Sequence, residues 1–143
     1  MARVDFYSEE ESIDEELLSE RVDKIVTILG HPEASLTCAF VTKEHIRELN
    51  IAYRGLDEAT DILSFSSGES FPSDEDDSLG DLVISLESMR ENCQFFKVSE
   101  DEELTRLLVH GILHLLDWDH ATNEDDEPMI KRQEEIVKSI LKE

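Results

Sequence analysis

The residues best suited to chemistry are three histidines toward the C-terminal end, His110, His114 and His120. The first two stand four apart, so on a helix their imidazoles share one face and can point at one ion. The third follows six residues later, past an expected turn. Three neutral imidazoles around an open fourth position form the ligand set of a catalytic zinc. The chain has only 5 histidines, and three at this spacing favour a metal site over three unrelated core or surface residues.

A helix must carry the first pair, and the preceding residues predict one. Ser99-Glu100-Asp101-Glu102 has the form of a capping box, with Ser99 as N-cap and Glu102 three residues on. Acidic residues at 100–103 suit the positive end of the helix dipole. Leu104, Leu107, Leu108, Ile112 and Leu115 make one apolar stripe, and Val109, Leu113 and Leu116 a second. The polar stripe between them runs Arg106, His110, His114. A helix apolar around most of its circumference is buried, and an unpaired imidazole there is costly, which a metal would relieve. At Asp117 the chain must turn to bring His120 back. Glycine suits the left-handed conformation best, and Asp tolerates it better than most residues.

The remaining elements follow from periodicity and punctuation. Residues 2–7 alternate around Val4 and Phe6 as a first strand. Ser12-Ile13-Asp14-Glu15 reads as another capping box, opening a helix with Leu17, Leu18, Val22, Ile25 and Leu29 inward and Gly30 and Pro32 as its stop. Leu36, Cys38 and Phe40 alternate in a second strand, so strand–helix–strand predicts a parallel pair. Thr42 caps a short helix with Ile46, Leu49 and Tyr53, which ends near a turn at Gly55. Residues 62–65 read as a third strand, and 79–85 as a fourth, hairpin-paired with it. Between them, 66–78 is a polar, mobile loop with Gly68, Pro72 and an acidic run. Residues 86–96 read as a helix of weak amphipathicity. A last helix, capped by Asn123, carries Met129, Ile130, Gln133, Ile136, Val137, Ile140 and Leu141 on one face.

Composition bounds the function. The 143 residues suit a single domain, 1–143, with one core. Charged residues reach 34%, yet hydrophobics reach 39% with clear periodicity, which favours a folded chain over a disordered one. No apolar run approaches membrane length and no leader opens the chain, so a cytoplasmic protein without a membrane partner is expected. Cys38 and Cys93 sit in apolar patterns and read as reduced core residues; without a CxxC, cysteine ligation is not expected. The net charge of -23 disfavours nonspecific nucleic-acid binding, and DNA is not an expected partner. Of four acidic runs, three (9–16, 100–103 and 124–127) suit helix N-terminal turns, and 74–77 falls in the loop.

The stretch His110-Gly-x-Leu-His114-Leu-x-x-Trp-Asp119-His120 resembles the signature of the YbeY family, bacterial ribosomal-RNA maturation factors described as metal-dependent endoribonucleases. Tyr53-Arg54, Asp57, Thr60-Asp61-Ile62-Leu63-Ser64-Phe65 and Gly80-Asp81-Leu82-Val83-Ile84-Ser85 resemble the family's other blocks, in order. The resemblance implies an α+β fold: a mixed four-stranded sheet with packed helices and a central buried helix bearing the His-x-x-x-His pair. It implies His110, His114 and His120 as ligands of one zinc, with Arg54 facing the metal cleft as the catalytic residue. It also implies a single-strand-specific endoribonuclease for small-subunit ribosomal RNA and ribosome quality control, with that RNA, the small ribosomal subunit and its proteins as partners. Two positions depart from the pattern. Asp117 stands where the family usually has glycine, either as a turn residue or as a partner of a ligand imidazole. Ser66 stands where proline is common.

Three function classes compete. The His-x-x-x-His spacing also resembles zinc metallopeptidases of the metzincin type, whose general base is a glutamate directly after the first histidine. Here that position is Gly111. Phosphodiester cleavage needs a cation where charge builds on phosphoryl oxygens; zinc as Lewis acid or hydroxide source and the forked donors of Arg54 would serve. Asp57, Asp61 and Asp119 are the carboxylates nearest these motifs, each with a plain structural role: turn, strand-entry hydrogen bond, and turn or imidazole partner. Tyr53 and Trp118 suit base stacking or, as the commoner role, core packing. The third reading is a non-catalytic zinc-containing assembly factor docking on basic small-subunit proteins, which the acidity suits.

Overall fold

The computed structural model describes residues 2–9, 12–66, 78–118 and 127–142. Its elements run β1 (Arg3–Ser8), α1 (Glu15–Ile28), β2 (Ser35–Phe40), α2 (Lys43–Arg54), β3 (Ile62–Ser66), β4 (Ser78–Ile84), α3 (Leu86–Phe96), α4 (Glu100–Leu115) and α5 (Pro128–Leu141). One sheet holds the strands in the order β1-β2-β4-β3. β2 pairs parallel with both β1 and β4, and β3 pairs antiparallel with β4. The expected α+β fold with a mixed four-stranded sheet is therefore present, including the parallel first pair and the β3–β4 pairing. Most of the polar loop expected over 66–78 lies outside the described residues.

The caps explain most boundaries. Thr42 Oγ1 accepts from the His45 amide at 3.0 Å, and Ser99 Oγ from the Glu102 amide at 3.1 Å, opening α2 and α4 as expected. The Glu102 carboxylate is taken by Arg106 at 3.1 Å. Two starts differ. α1 is capped by Asp14, which accepts from the Leu17 amide at 3.1 Å, and not by Ser12. Leu17 is accordingly 38% exposed, while the buried stripe is Leu18, Val22, Ile25 and Val26. Leu18, Val22 and Ile25 are spaced by four and three, and Leu17 lies one residue off that line. α5 begins at Pro128 after Glu127, with no side-chain cap and no acid in its first turn. Proline at N1 forfeits no helical hydrogen bond. The cap expected at Asn123 and most of the run at 124–127 lie outside the described residues.

α4 is the middle of the molecule. It lies against β3 and β4 on one side and touches α1, α3 and α5 on the others. Leu107, Leu108, Val109, Ile112, Leu113 and Leu115 are all buried, each contributing roughly 1.5–3 kcal/mol by leaving water. Cys38 and Cys93 are free thiols in the core, as expected. No helix among the described residues is long and apolar enough to cross a membrane.

The close seating of α4 depends on Gly111. A Cβ there would stand 2.6 Å from Leu82 Cδ2 and 2.9 Å from Ile62 Cδ1. Leu82 is wholly buried, so its methyl has nowhere to move. Gly111→Val is expected to destabilise the fold by about 1–3 kcal/mol through overpacking. Urea unfolding at neutral pH measures this; an unchanged midpoint would contradict the packing described.

Candidate active site

His110 and His114 of the polar stripe of α4 face a cleft, and each is held by a different part of the chain. His110 is met by α5: its Nδ1 lies 2.7 Å from Gln133 Oε1. A carbonyl oxygen only accepts, so Nδ1 carries the proton and Nε2 presents its lone pair.

His114 is held by the end of its own helix. Asp117 adopts φ 69, the left-handed conformation expected of it. The Asp117 amide donates to His114 O at 3.0 Å, and the Trp118 amide to Leu113 O at 2.9 Å. These two bonds make a Schellman motif with an aspartate at the usual glycine position. The reversal brings the Trp118 carbonyl back to His114 Nδ1 at 3.1 Å, which makes Nδ1 the donor, so that in the neutral ring Nε2 carries the lone pair. Asp117 is exposed. Of the two roles open to it, the turn is the one its backbone fills.

The two Nε2 atoms stand 3.1 Å apart, with the rings edge-on at 77°. Two nitrogens bound to one tetrahedral ion at about 2.0–2.1 Å lie about 3.3 Å from each other, so the pair fits a shared ion. Two lone pairs at this distance repel unless a cation or proton lies between them. His120 lies outside the described residues, and among those described no group of three His, Cys, Asp or Glu is gathered for a metal.

Arg54 enters from the sheet side. It is the last residue of α2, where its charge suits the helix C-terminus, and Gly55 at φ 72 ends the helix there. Its Nη2 donates to Ser64 O at 2.8 Å, and its guanidinium carbon lies 4.9 Å from the Phe65 ring centroid. Carbonyl and aromatic face together hold a flexible side chain in place. Arg54, Ile62, Leu63, Ser64, Ser66, His110 and His114 line one hollow of about 300 Å³. The arginine and the histidine pair, widely separated in sequence, thus share a cleft whose described lining has no carboxylate.

The other described candidates are not among the cleft's lining residues. Asp57 is exposed and bound to Arg47 Nε at 2.6 Å, which holds its carboxyl below the ordinary value. Asp61 stands at the entry to β3, where Asn92 Nδ2 donates to its Oδ2 at 2.7 Å and its own carbonyl accepts from the Ser85 amide at 2.9 Å. Asp119 lies outside the described residues. Tyr53 is 47% exposed, edge-on to Phe65 at 5.2 Å, and Trp118 is 37% exposed. Neither is the core residue that its type suggests.

Sequence reasoning placed Gln133 on the inner face of the last helix without giving it a role. Its signal was an amide alone in an apolar stripe. Behind it, Gln133 Nε2 donates to Glu134 Oε2 at 3.0 Å, and Arg106 donates to both Glu134 oxygens at 2.9 and 3.0 Å. Burial pushes the Glu134 carboxyl up, but the hydrogen bonds from Arg106 and Gln133 outweigh it and hold the group below its ordinary value. Arg106 also binds Glu102 and Glu103, each at 3.1 Å.

A family model described as Endoribonuclease YbeY matches residues 3–141. Endoribonuclease YbeY of Bacillus cytotoxicus is 37% identical, over 94% of this chain and 93% of its own. The protein of the same name from Desulforamulus reducens is 40% identical, over 92% of each. The solution structure of TM1509 from Thermotoga maritima superposes with a TM-score of 0.66 at 29% identity, covering 99% of this chain and 90% of that one.

Asp61 sets a pH dependence. Burial pushes its carboxyl above the ordinary value; its own amide, His110 and the Ile62 amide pull the other way without cancelling this. The folded state then holds the proton more tightly than the unfolded one, so this group's contribution to stability falls as pH rises from about 3.9 through the folded value. Asp61→Asn removes that loss. Its thermal midpoint is expected to gain on the wild type as pH rises from about 3.9 toward neutrality; a constant difference would contradict the shift.

Proposed function

The chain belongs to the YbeY family, and on that premise we propose that it is a zinc-dependent endoribonuclease. It cuts single-stranded segments of small-subunit ribosomal RNA during maturation and ribosome quality control in the cytoplasm, and meets the small subunit and its proteins there. The observation that carries this reading is the cleft that brings the His110 and His114 imidazoles together with Arg54.

His110 and His114, with His120, would hold the zinc. When bound, zinc supplies Lewis acidity toward a phosphoryl oxygen. The chain does the rest. Gln133 and the Trp118 carbonyl fix the two rings, so no reorientation is needed on binding. Arg54, anchored on Ser64 and Phe65, places a permanent positive charge where the scissile phosphate gains negative charge.

A peptidase is disfavoured by packing as well as by sequence. Gly111, where the glutamate base would stand, faces Leu82 and Ile62 too closely to admit a side chain. The docking reading rests on the net charge, which suits basic ribosomal proteins.

One variant separates catalysis from docking. Arg54→Ala is expected to keep its fold and zinc while RNA cleavage falls by about 10²–10³-fold. Cleavage indifferent to Arg54 and to metal removal would sink the nuclease reading. Acid gives a second test. Ligand imidazoles must be neutral, so zinc stays bound above the ordinary histidine pKa of about 6.5 and is released as pH falls well below it. Zinc retained in full at about pH 4 would rule out histidine ligation.

A further inference from the structure

We propose that Gln133 is a positioning residue for His110: its amide, oriented by the Glu134–Arg106 ion pair, locks His110 as the Nδ1–H tautomer and presents Nε2 to the cleft. This rests on the metal site proposed above.

The lock follows from counting donors and acceptors. Arg106 Nε and Nη2 reach the two oxygens of Glu134 at 2.9 and 3.0 Å, so Glu134 is an ionised acceptor. The Gln133 atom 3.0 Å from Glu134 Oε2 must then be the amino nitrogen, since a carbonyl there would set acceptor against acceptor. That orientation leaves Oε1 for His110. Oε1 has no proton to give, so His110 Nδ1, at 2.7 Å, must donate. Each step removes one alternative, and the amide has no second orientation that satisfies both neighbours. Gln133 is 6% exposed, on the apolar stripe between Ile130 and Ile136, so water is poorly placed to substitute for it.

The arrangement differs from the common one, in which a carboxylate takes the outer proton of a ligand imidazole. Here a neutral amide touches the ring and the negative charge stands one residue further out, where Arg106 compensates it. The ring is fixed without a net charge placed beside it. His114 supplies an internal control. Its tautomer is set by the Trp118 carbonyl, which is independent of α5.

The test reads tautomers directly, by long-range ¹⁵N–¹H NMR of the metal-free protein at a pH where imidazoles are neutral. Zinc affinity is measured in parallel by competition with a chelator. In the wild type His110 is expected as Nδ1–H. Gln133→Leu is expected to turn His110 into a tautomer mixture, leave His114 unchanged and weaken zinc binding by about 10–100-fold. Should Gln133→Leu not fold, Glu134→Ala at the half-exposed neighbouring position should also mix the His110 tautomers. The proposal is overturned if His110 stays Nδ1–H in the folded variant, if His114 shifts equally, or if zinc affinity is unmoved while the tautomer changes. A wild type that binds no zinc defeats the metal reading instead, and the tautomer comparison still decides the positioning.

Discussion

Two imidazoles share one narrow polar strip on a helix whose apolar faces are buried, and each must place its Nδ1 proton before its Nε2 can serve a ligand. α4 cannot do this alone, since its own backbone is spent on helical hydrogen bonds. The partners come from outside the helix body: Gln133 from α5 for His110, and the Trp118 carbonyl from the reversed chain for His114. With both protons placed outward, the two Nε2 atoms converge to 3.1 Å. The Schellman turn at Asp117 therefore has two consequences. It ends the helix, and it returns a carbonyl to the imidazole one turn back.

The other wall of the cleft depends on β3. Ile62 and Ser64 face α4 and meet it at Gly111. Leu63 and Phe65 join Ile46 and Val83 in the smaller core under α2. Alternation along a strand divides these roles, and Arg54 bridges them, bonding a β3 carbonyl while its guanidinium lies over Phe65. A single glycine links packing to chemistry here. A bulkier residue at 111 would push α4 from the sheet and take the histidines away from Arg54. The same contact leaves no space for the glutamate on which a metzincin peptidase depends.

Much of this was legible in the residues. Periodicity located the nine described elements, because the strands alternate and Thr42 and Ser99 cap in the expected way. Asp117 was recognisable because a chain returning to a helix face needs a left-handed residue just there. The start of α1 was misread, since Ser12 and Asp14 both have capping side chains and local pattern cannot rank them. Arg54 came from family resemblance alone; nothing in spacing joins residue 54 to residue 110, and only the sheet does. Gln133 was visible as a polar residue on an apolar face, but its partner could not be known before α5 was placed against α4. Tyr53 and Trp118 illustrate the reverse error, where residue type suggested burial and position left them half-exposed.

The account joins one metal to one reaction, and the most direct test measures both at once. Wild-type protein and His114→Ala, purified in parallel, would be assayed for zinc content and for cleavage of a structured ribosomal-RNA fragment. The account predicts about one zinc per chain with cleavage in the wild type, and loss of both in the folded variant. Equal zinc in the two proteins would contradict the histidine site, and zinc-bound wild type without cleavage would contradict unaided catalysis.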